Sequence, residues 1–189
     1  MIKFITFLPI SIKKIIFNLF NRKIYIDKPF KIHYPFFLYL GRESCLTIGK
    51  NFILSNDILN PTIAIHKSKI ILGQKASLNI GENVSMSSIC IYAATNIKIG
   101  NNCVFGGNVT IIDTNFHSIS YIDRRIDKGI ISALPIVIED DVFIGTKSII
   151  LKGVHIGSRS IIAAGSVVSK DIPNNEVWGG NPAKFIKHV

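Results

Sequence analysis

Aliphatic residues recur at every sixth position through the C-terminal half of the chain. The clearest run continues without a miss through Ile138, Ile144, Ile150, Ile156, Ile162 and Val168. The next residue is often small or acidic, as at Glu139, Gly145 and Gly157. A period of six fits neither an α-helix, which repeats every 3.6 residues, nor a plain alternating strand. It predicts a coil of three short strands per turn, in which each strand directs one aliphatic side chain to the axis.

The same step appears upstream in shorter blocks. These blocks are Ile48 and Leu54; Leu59, Ile65 and Ile71; Ile80 and Met86; and Ile99, Phe105 and Ile111. The phase slips between blocks, so loops or bulges must separate them. The bias toward Ile, Val and Phe also favours strands. The sequence therefore predicts an all-β protein, a parallel β-helix over residues 48–169, with an irregular lead-in at 1–47 and a tail at 170–189.

The most regular part of the repeat is interrupted between Ile111 and Ile138. These two residues are 27 positions apart, where 18 would complete a coil. The intervening segment is polar and irregular, and a long loop that leaves a rigid solenoid is a common place for a functional site. We therefore predict an extended loop at residues 112–136. His117, near its start, is the first candidate for chemistry.

The first twenty residues are both apolar and basic. Pro9, Lys13 and Lys14 break the apolar run, so a membrane-spanning helix is not expected. No small-residue cleavage site of the A-x-A type is present, which argues against a signal peptide. One face of a helix would carry Ile5, Leu8, Ile12, Ile15, Ile16 and Leu19. We predict an amphipathic helix at 1–20, either packed on the domain or on another subunit, or lying in a membrane interface.

The composition adds a basic charge to this picture. A formal charge of +10 suggests an anionic partner, such as a phosphorylated cofactor or an acidic membrane surface. The basic residues are spread along the chain and no nucleic-acid-binding motif stands out, so we expect no nucleic acid partner. Cys45, Cys90 and Cys103 form no CxxC pair and no disulfide framework. That pattern is typical of a reducing compartment, and we expect a cytoplasmic protein, with or without contact to the inner face of the membrane.

A resemblance to the hexapeptide acyltransferases is carried at residues 137–186 by VIEDDVFIGTKSIILKGVHIGSRSIIAAGSVVSKDIPNNEVWGGNPAKFI. It is extended at 99–119 by IGNNCVFGGNVTIIDTNFHSI. Within that family the chain is most similar to maltose, galactoside and surface-polysaccharide O-acetyltransferases. Residues 48–98 match only as degenerate repeats. The resemblance implies a left-handed coil, a homotrimer with sites between subunits, and acetyl transfer from acetyl-CoA to a sugar hydroxyl of a surface polysaccharide or its precursor.

The resemblance also implies a catalytic base. The family places it at a histidine shortly after the NVTI-type strand, which here is His117. A neutral imidazole would accept the proton of the acceptor hydroxyl, typically a gain of about 10²–10⁴-fold in rate, and backbone N–H groups would hold the oxyanion. Asp113 either orients this imidazole, binds the acceptor or caps a turn. Where the resembled sugar enzymes have an acceptor-binding asparagine, this chain has serines. The candidate acceptor contacts are Ser87, Ser88, Tyr121 and Arg124.

The resemblance further implies that CoA binds in a groove between neighbouring subunits, beside the C-terminal coils. Gly145 and Ala164 would let the pantetheine arm approach the backbone. Phe143 would supply an apolar wall where the family often has Trp, and Lys170 and Lys184 would meet the nucleotide phosphates. The complete set of candidate CoA-binding residues is Phe143, Gly145, Thr146, Ala164, Ser169, Lys170 and Lys184.

Other functions on the same coil stay open at this point. A γ-type carbonic anhydrase needs histidines that converge on a metal, but Ile122 stands where a second histidine would follow His117. The other histidines fit no metal spacing, so no metal is expected. Acetylation of an amine, on an amino sugar or an antibiotic, is an alternative because the loop rather than the fold sets the acceptor. A non-catalytic scaffold is the third alternative, and His117 together with the CoA motif argues against it.

Overall fold

The computed structural model describes residues 23–33, 36–55 and 67–189, and the helix predicted for residues 1–20 lies outside these ranges. The described chain forms a parallel β-helix whose three faces are parallel sheets. Consecutive strands pass from sheet 1 to sheet 2 to sheet 3, and then return to sheet 1 one coil further along the axis. No helix within these ranges has the length and apolar content needed to cross a membrane.

The strands are distributed among the three sheets as follows. Sheet 1 contains β1 Lys23–Ile26, β4 Cys45–Ile48, β7 Ser77–Ile80, β10 Asn96–Ile99, β13 Ile136–Ile138 and β16 His155–Ile156. Sheet 2 contains β2 Phe30–Ile32, β5 Phe52–Ser55, β8 Ser85–Ser87, β11 Val104–Phe105, β14 Phe143–Ile144, β17 Ile161–Ile162, β19 Glu176–Gly179 and β20 Lys184–His188. Sheet 3 contains β3 Phe37–Leu40, β6 Lys69–Leu72, β9 Cys90–Ala93, β12 Thr110–Ile112, β15 Ile149–Ile150 and β18 Val167–Val168. Within the described ranges one helix occurs, α1 Tyr121–Arg125.

The six-residue repeat forms the core column, as predicted. Its six C-terminal members are at most 1% exposed: Ile138, Ile144, Ile150, Ile156, Ile162 and Val168. Strand pairing aligns them between coils, with Ile138 opposite Ile156 and Ile150 opposite Val168. Burial of each such side chain is worth about 1.5–3 kcal/mol. The coil of three strands per turn is therefore confirmed for this region.

The coil begins earlier than the sequence repeat indicated. Strands β1 to β3 and most of β4 lie within residues 1–47, which were predicted to be an irregular lead-in. They join the same sheets as the later coils, with Ile24 opposite Leu46 in sheet 1. The period is obscured here because Lys23 pairs with Cys45, which is 22 residues further along the chain (45 minus 23). Three strands at a step of six would need 18 residues, so a step of six cannot run through this coil.

The corner between sheets 1 and 2 is built on asparagines in the left-handed backbone region. Asn51, Asn83 and Asn102 have φ angles of 58°, 57° and 56° on successive coils. Asparagine enters this region at a lower cost than most residues, because its short side-chain amide can form hydrogen bonds with the nearby backbone. The amides also join the coils, since Asn51 Nδ2 donates to Asn83 Oδ1 at 2.8 Å and Asn83 Nδ2 donates to Asn102 Oδ1 at 3.0 Å.

The tail at 170–189 covers the C-terminal end of all three sheets. On sheet 1, Ile172 forms a parallel bridge with Ile156. On sheet 2, β19 pairs with β17, and β20 then pairs antiparallel to β19. On sheet 3, the Val167 N–H donates to the Gly180 carbonyl at 2.9 Å, and the Ala183 N–H donates to the Val167 carbonyl at 2.8 Å. The tail was predicted only to contribute to CoA binding, which stays a prediction, and the structure shows that the tail caps the coil.

Candidate functional site

The loop between β12 and β13 leaves the coil at the corner between sheets 3 and 1. At its base Thr114 forms an antiparallel bridge with Ala133. The Asn115 N–H also donates to the Ser132 carbonyl at 3.0 Å. The outgoing and returning segments therefore form a short ribbon that holds the loop together. His117 lies immediately beyond this ribbon.

His117 is exposed and stands on a fixed backbone. Its N–H donates to the Asn115 carbonyl at 2.7 Å. The preceding residue, Phe116, packs edge-to-face on Tyr92 of β9, with 4.6 Å between the ring centroids. This contact secures the chain beside His117 against the outer face of sheet 3. An exposed imidazole on a held backbone is well placed to exchange a proton with a bound molecule.

Asp113 holds the start of the loop to the preceding coil. Its side chain is fully buried, at 0% exposure. Oδ1 accepts a hydrogen bond from the Ala94 N–H at 2.6 Å, while Oδ2 accepts from the Thr95 N–H at 2.7 Å and the Thr95 hydroxyl at 2.8 Å. Both oxygens thus bond the neighbouring corner, which is the turn-capping arrangement. These contacts make Asp113 a positioning residue for the loop that carries His117.

The two acceptor candidates in the loop have different environments. The Arg124 guanidinium donates to the carbonyls of Ser118 and Ile119, at 3.0 and 2.5 Å, so it ties α1 to the preceding segment of the loop. Tyr121 is 60% exposed, and the Arg125 guanidinium lies over its ring at 5.2 Å. In this structure Arg124 stabilises the loop, whereas Tyr121 is largely exposed.

Five of the residues predicted for CoA lie at sheet 2 or at the corner between sheets 2 and 3. Gly145, Thr146 and Ala164 occupy that corner on successive coils. A Cβ atom on Gly145 would lie 2.5 Å from the Ala164 nitrogen, so coil stacking by itself requires glycine there. Phe143 of β14 is 44% exposed, and Lys184 is exposed in β20.

The other two CoA candidates lie on the same edge as His117. Ser169 and Lys170 directly follow β18 and are exposed. Strands β12, β15 and β18 are neighbours in sheet 3, so the segments that follow them stack along the corner between sheets 3 and 1. At about 4.8 Å per strand, these two residues lie roughly 10 Å along the axis from the base of the loop. Within one chain, the predicted CoA set is therefore divided between two edges of sheet 3.

Ser87 and Ser88 lie at the edge of sheet 3 opposite His117. Ser88 is 3% exposed, and its hydroxyl has no hydrogen-bond partner among the described residues. A pocket of about 200 Å³ at this edge is lined by Lys67, Lys69, Ser88, Cys90, Asn108 and Thr110. The two lysines were not singled out from the sequence. The signal that marks them is a pair of cations at alternate positions where a strand begins, which places both side chains on one face.

The cysteines are poor candidates for nucleophiles. Burial raises the pKa of the Cys103 thiol to about 11. Burial also raises the pKa of Cys90, against the opposing effect of the nearby Lys69 ammonium. Both thiols are therefore protonated at neutral pH, and the thiolate is the reactive form. In the part of the chain that the structure describes, no three His, Cys, Asp or Glu side chains come together as a metal site.

Comparison with known proteins identifies the family. A family model for the hexapeptide repeat of succinyl-transferase matches residues 96–119 and 135–170. Over 95 residues the chain is 46% identical to the galactoside O-acetyltransferase of Lactococcus lactis, and the match covers 50% of this chain and 44% of that enzyme. The maltose O-acetyltransferase structure from Clostridium difficile has a TM-score of 0.56 and 30% identity, covering 79% of this chain and 68% of that one. The structure of the polySia-specific acetyltransferase NeuO has a TM-score of 0.63 and 26% identity, covering 89% and 82%.

The chain belongs to the hexapeptide-repeat acyltransferase family, and its predicted fold class, a left-handed parallel β-helix, is confirmed. It spans about half the length of the curated relatives it matches. The two segments matched by the family model include the start and the end of the long loop, and the first of them ends at residue 119. The likeness therefore includes His117 and the coils that follow the loop.

Proposed function

We propose that this protein transfers an acetyl group from acetyl-CoA to a hydroxyl group of a sugar acceptor, with His117 as the general base. The exposed His117 ring carries the proposal, because it stands on the long loop and lies within the first family-matched segment. Buried Asp113 and the Phe116–Tyr92 contact fix the backbone at this point. General-base chemistry needs such a combination of an accessible imidazole and a rigid support.

The proposed reaction is a direct transfer without an acyl-enzyme. The neutral His117 ring accepts the hydroxyl proton while the hydroxyl oxygen attacks the thioester carbonyl carbon. The tetrahedral intermediate then collapses, the carbon–sulfur bond breaks, and the imidazolium returns the proton to the CoA sulfur. The raised pKa values of Cys90 and Cys103 fit this mechanism, because protonated thiols are weak nucleophiles.

Named relatives support the class of donor and acceptor. The galactoside and maltose enzymes are O-acetyltransferases of sugars, and NeuO is specific for polySia. A surface polysaccharide or its precursor, modified at the cytoplasmic face of the membrane, is the acceptor we infer. Exposed Lys170 and Lys184 suit the phosphates of CoA, and exposed Phe143 suits its apolar portion.

A homotrimer would complete the proposed groove. Gly145 and Lys170 lie on different edges of sheet 3, so one chain by itself does not line a continuous CoA site. A site formed between two copies would join the Gly145 edge of sheet 3 in one copy to the Lys170 edge of sheet 3 in its neighbour. Closed cyclic assemblies of identical chains form heterologous contacts of this kind.

The test is a measurement of thiol release from acetyl-CoA in the presence of galactose or maltose. We expect His117→Ala to lower kcat by about 100-fold or more while the melting temperature and CoA affinity stay unchanged. His155→Gln is the matched control, because His155 bonds Glu139 away from the loop, and it should retain activity. Full activity in the His117 variant would overturn the base assignment, and wild-type protein that neither binds CoA nor releases thiol would favour a scaffold.

The same assay separates hydroxyl from amine acceptors. Galactosamine replaces galactose as the acceptor, and alkaline hydroxylamine is then added to the purified product. Hydroxylamine cleaves an ester but leaves an amide intact, so a product that loses its acetyl group was acetylated on oxygen. A resistant product would contradict the proposed O-acetylation and establish amine acetylation.

A further inference from the structure

The pocket at the corner between sheets 2 and 3 is formed by three successive coils. Lys69 of β6 pairs with Cys90 of β9, and Cys90 pairs with Thr110 of β12. These residues begin their strands, so their side chains form one column on the outer face of sheet 3. Lys67 and Ser88 each lie two positions before a member of this column, and they close the side of the pocket. The pocket is therefore part of the rigid solenoid.

The lining of this pocket is cationic. Lys67 and Lys69 are both exposed, and no acidic side chain is among the described residues that line the pocket. The Lys69 ammonium is close enough to Cys90 to act on the pKa of its thiol. A further exposed lysine, Lys147, occupies the same corner one coil beyond Asn108, where its N–H donates to the Gly107 carbonyl at 2.9 Å. Two ammonium groups that share a concave site favour an anionic ligand.

Ser88 adds a hydroxyl to this cationic site. Its N–H donates to the Ser55 carbonyl at 2.9 Å, and its backbone adopts a φ of 47° at the corner. The hydroxyl is buried and makes no hydrogen bond to any described residue. A buried hydroxyl left unsatisfied costs about 1–3 kcal/mol. A ligand oxygen that accepts from Ser88 would recover that cost.

We propose that this pocket binds the carboxylate of an acidic sugar, so that the acceptor of the proposed acetyl transfer is an acidic glycan. This inference rests on the proposed function, which it extends to a substrate class. A carboxylate would accept charge-assisted hydrogen bonds from Lys67 and Lys69 and a further bond from Ser88. A neutral sugar would leave both ammonium groups without a counter-charge.

The size and position of the pocket fit a sugar residue of a glycan chain. Its volume of about 200 Å³ is smaller than the roughly 300–1,000 Å³ that drug-sized ligands occupy, which disfavours CoA as the occupant. Strand β9 connects the pocket with the loop, since Cys90 lines the pocket and Tyr92 contacts Phe116 beside His117. Two residues of strand span about 6.6 Å. A glycan can therefore follow one continuous face of sheet 3.

Alkylation of Cys90 provides a binding assay that is independent of activity. The full-length protein is treated with iodoacetamide at pH 9, where more of the thiol is ionised, and labelling at Cys90 is quantified by peptide mass spectrometry. Half-buried Cys45, on sheet 1, serves as the internal reference. The probes are a galacturonic acid trimer, a neutral galactose trimer and CoA. We expect only the acidic trimer to slow labelling of Cys90, and added salt to weaken this protection.

Charge variants then test the two lysines. The double variant Lys67→Gln, Lys69→Gln should raise the half-protecting concentration of the acidic trimer about tenfold or more. Lys98→Gln removes an exposed lysine from sheet 1 and should leave protection unchanged. Equal protection by the neutral trimer, protection by CoA alone, or full protection in the double variant would each overturn the proposal.

Acetyl transfer is measured separately, so that the two proposals can fail independently. In the thiol-release assay, the ratio of kcat/KM for acidic over neutral acceptors should fall about tenfold in the double variant. Transfer without any preference for the acidic acceptor would refute the substrate class and leave the proposed function intact. Protection of Cys90 without acetyl transfer would refute the proposed function and leave an acidic-glycan site.

Discussion

Replacing Asp113 tests how the loop base is held. Asp113→Ala removes the acceptor for the Ala94 N–H, the Thr95 N–H and the Thr95 hydroxyl. Hydrogen bonds to a charged acceptor are worth about 1.5–3 kcal/mol each, and burying the carboxylate costs several kcal/mol. The net loss should be about 2–4 kcal/mol in the free energy of unfolding. Thr95→Val removes one of the three bonds and should cost about 1 kcal/mol.

Urea unfolding followed by circular dichroism measures both variants. With a slope of about 2 kcal/mol per molar urea, Asp113→Ala should lower the unfolding midpoint by about 1–2 M, and Thr95→Val by about 0.5 M. Hydrogen exchange in residues 113–135 should accelerate in Asp113→Ala, because the loop loses its attachment. An unchanged midpoint in Asp113→Ala would refute the reasoning, as would an equal loss in both variants.

Two further predictions concern coil stacking and pH. Gly145→Ala should destabilise by about 1–3 kcal/mol because its methyl group would lie 2.5 Å from the Ala164 nitrogen. Gly73→Ala, whose nearest heavy atom would be the Ala93 carbonyl oxygen at 3.4 Å, should lose less, and the reverse order in thermal melts would contradict this account. Hydrogen bonding, chiefly from the Ser158 hydroxyl, lowers the pKa of Glu139 below its ordinary 4.5. The ionised carboxylate therefore stabilises the fold above pH 4.5, and this stabilisation disappears as the pH falls through the lowered pKa. The difference in melting temperature between wild type and Glu139→Gln should therefore shrink from pH 6 to pH 3. A constant difference would contradict a stabilising role for the ionised Glu139.

The fold was predictable wherever the chain repeats without insertions. From Ile138 to Val168 every sixth residue is buried, because a coil of three equal strands returns each aliphatic side chain to the axis. The first coil was missed because Lys23 pairs with Cys45, 22 residues further along the chain, where 18 would keep the step of six. A periodic pattern reports the register only while the period is unbroken.

The position of the long loop was predictable, but the contacts that hold it were not. The interrupted repeat and the family motif both indicate His117. The bonds from Asp113 to the corner at residues 94–95 cross between coils, and no spacing rule within a single strand reveals them. The pocket at Lys67 and Lys69 likewise depends on which coils stack, since its lining residues are contributed by three successive coils.

The C-terminal cap has a consequence for self-association. A parallel β-helix that simply stopped would present three rows of unpaired N–H and C=O groups, which are templates for end-to-end growth into fibres. Here the main chain of residues 170–189 pairs with the last strand of every sheet. The outermost strand, β20, runs antiparallel and exposes Lys184 and Lys187, and such lysines oppose the addition of another strand. The tail thus opposes end-to-end growth at this end of the solenoid.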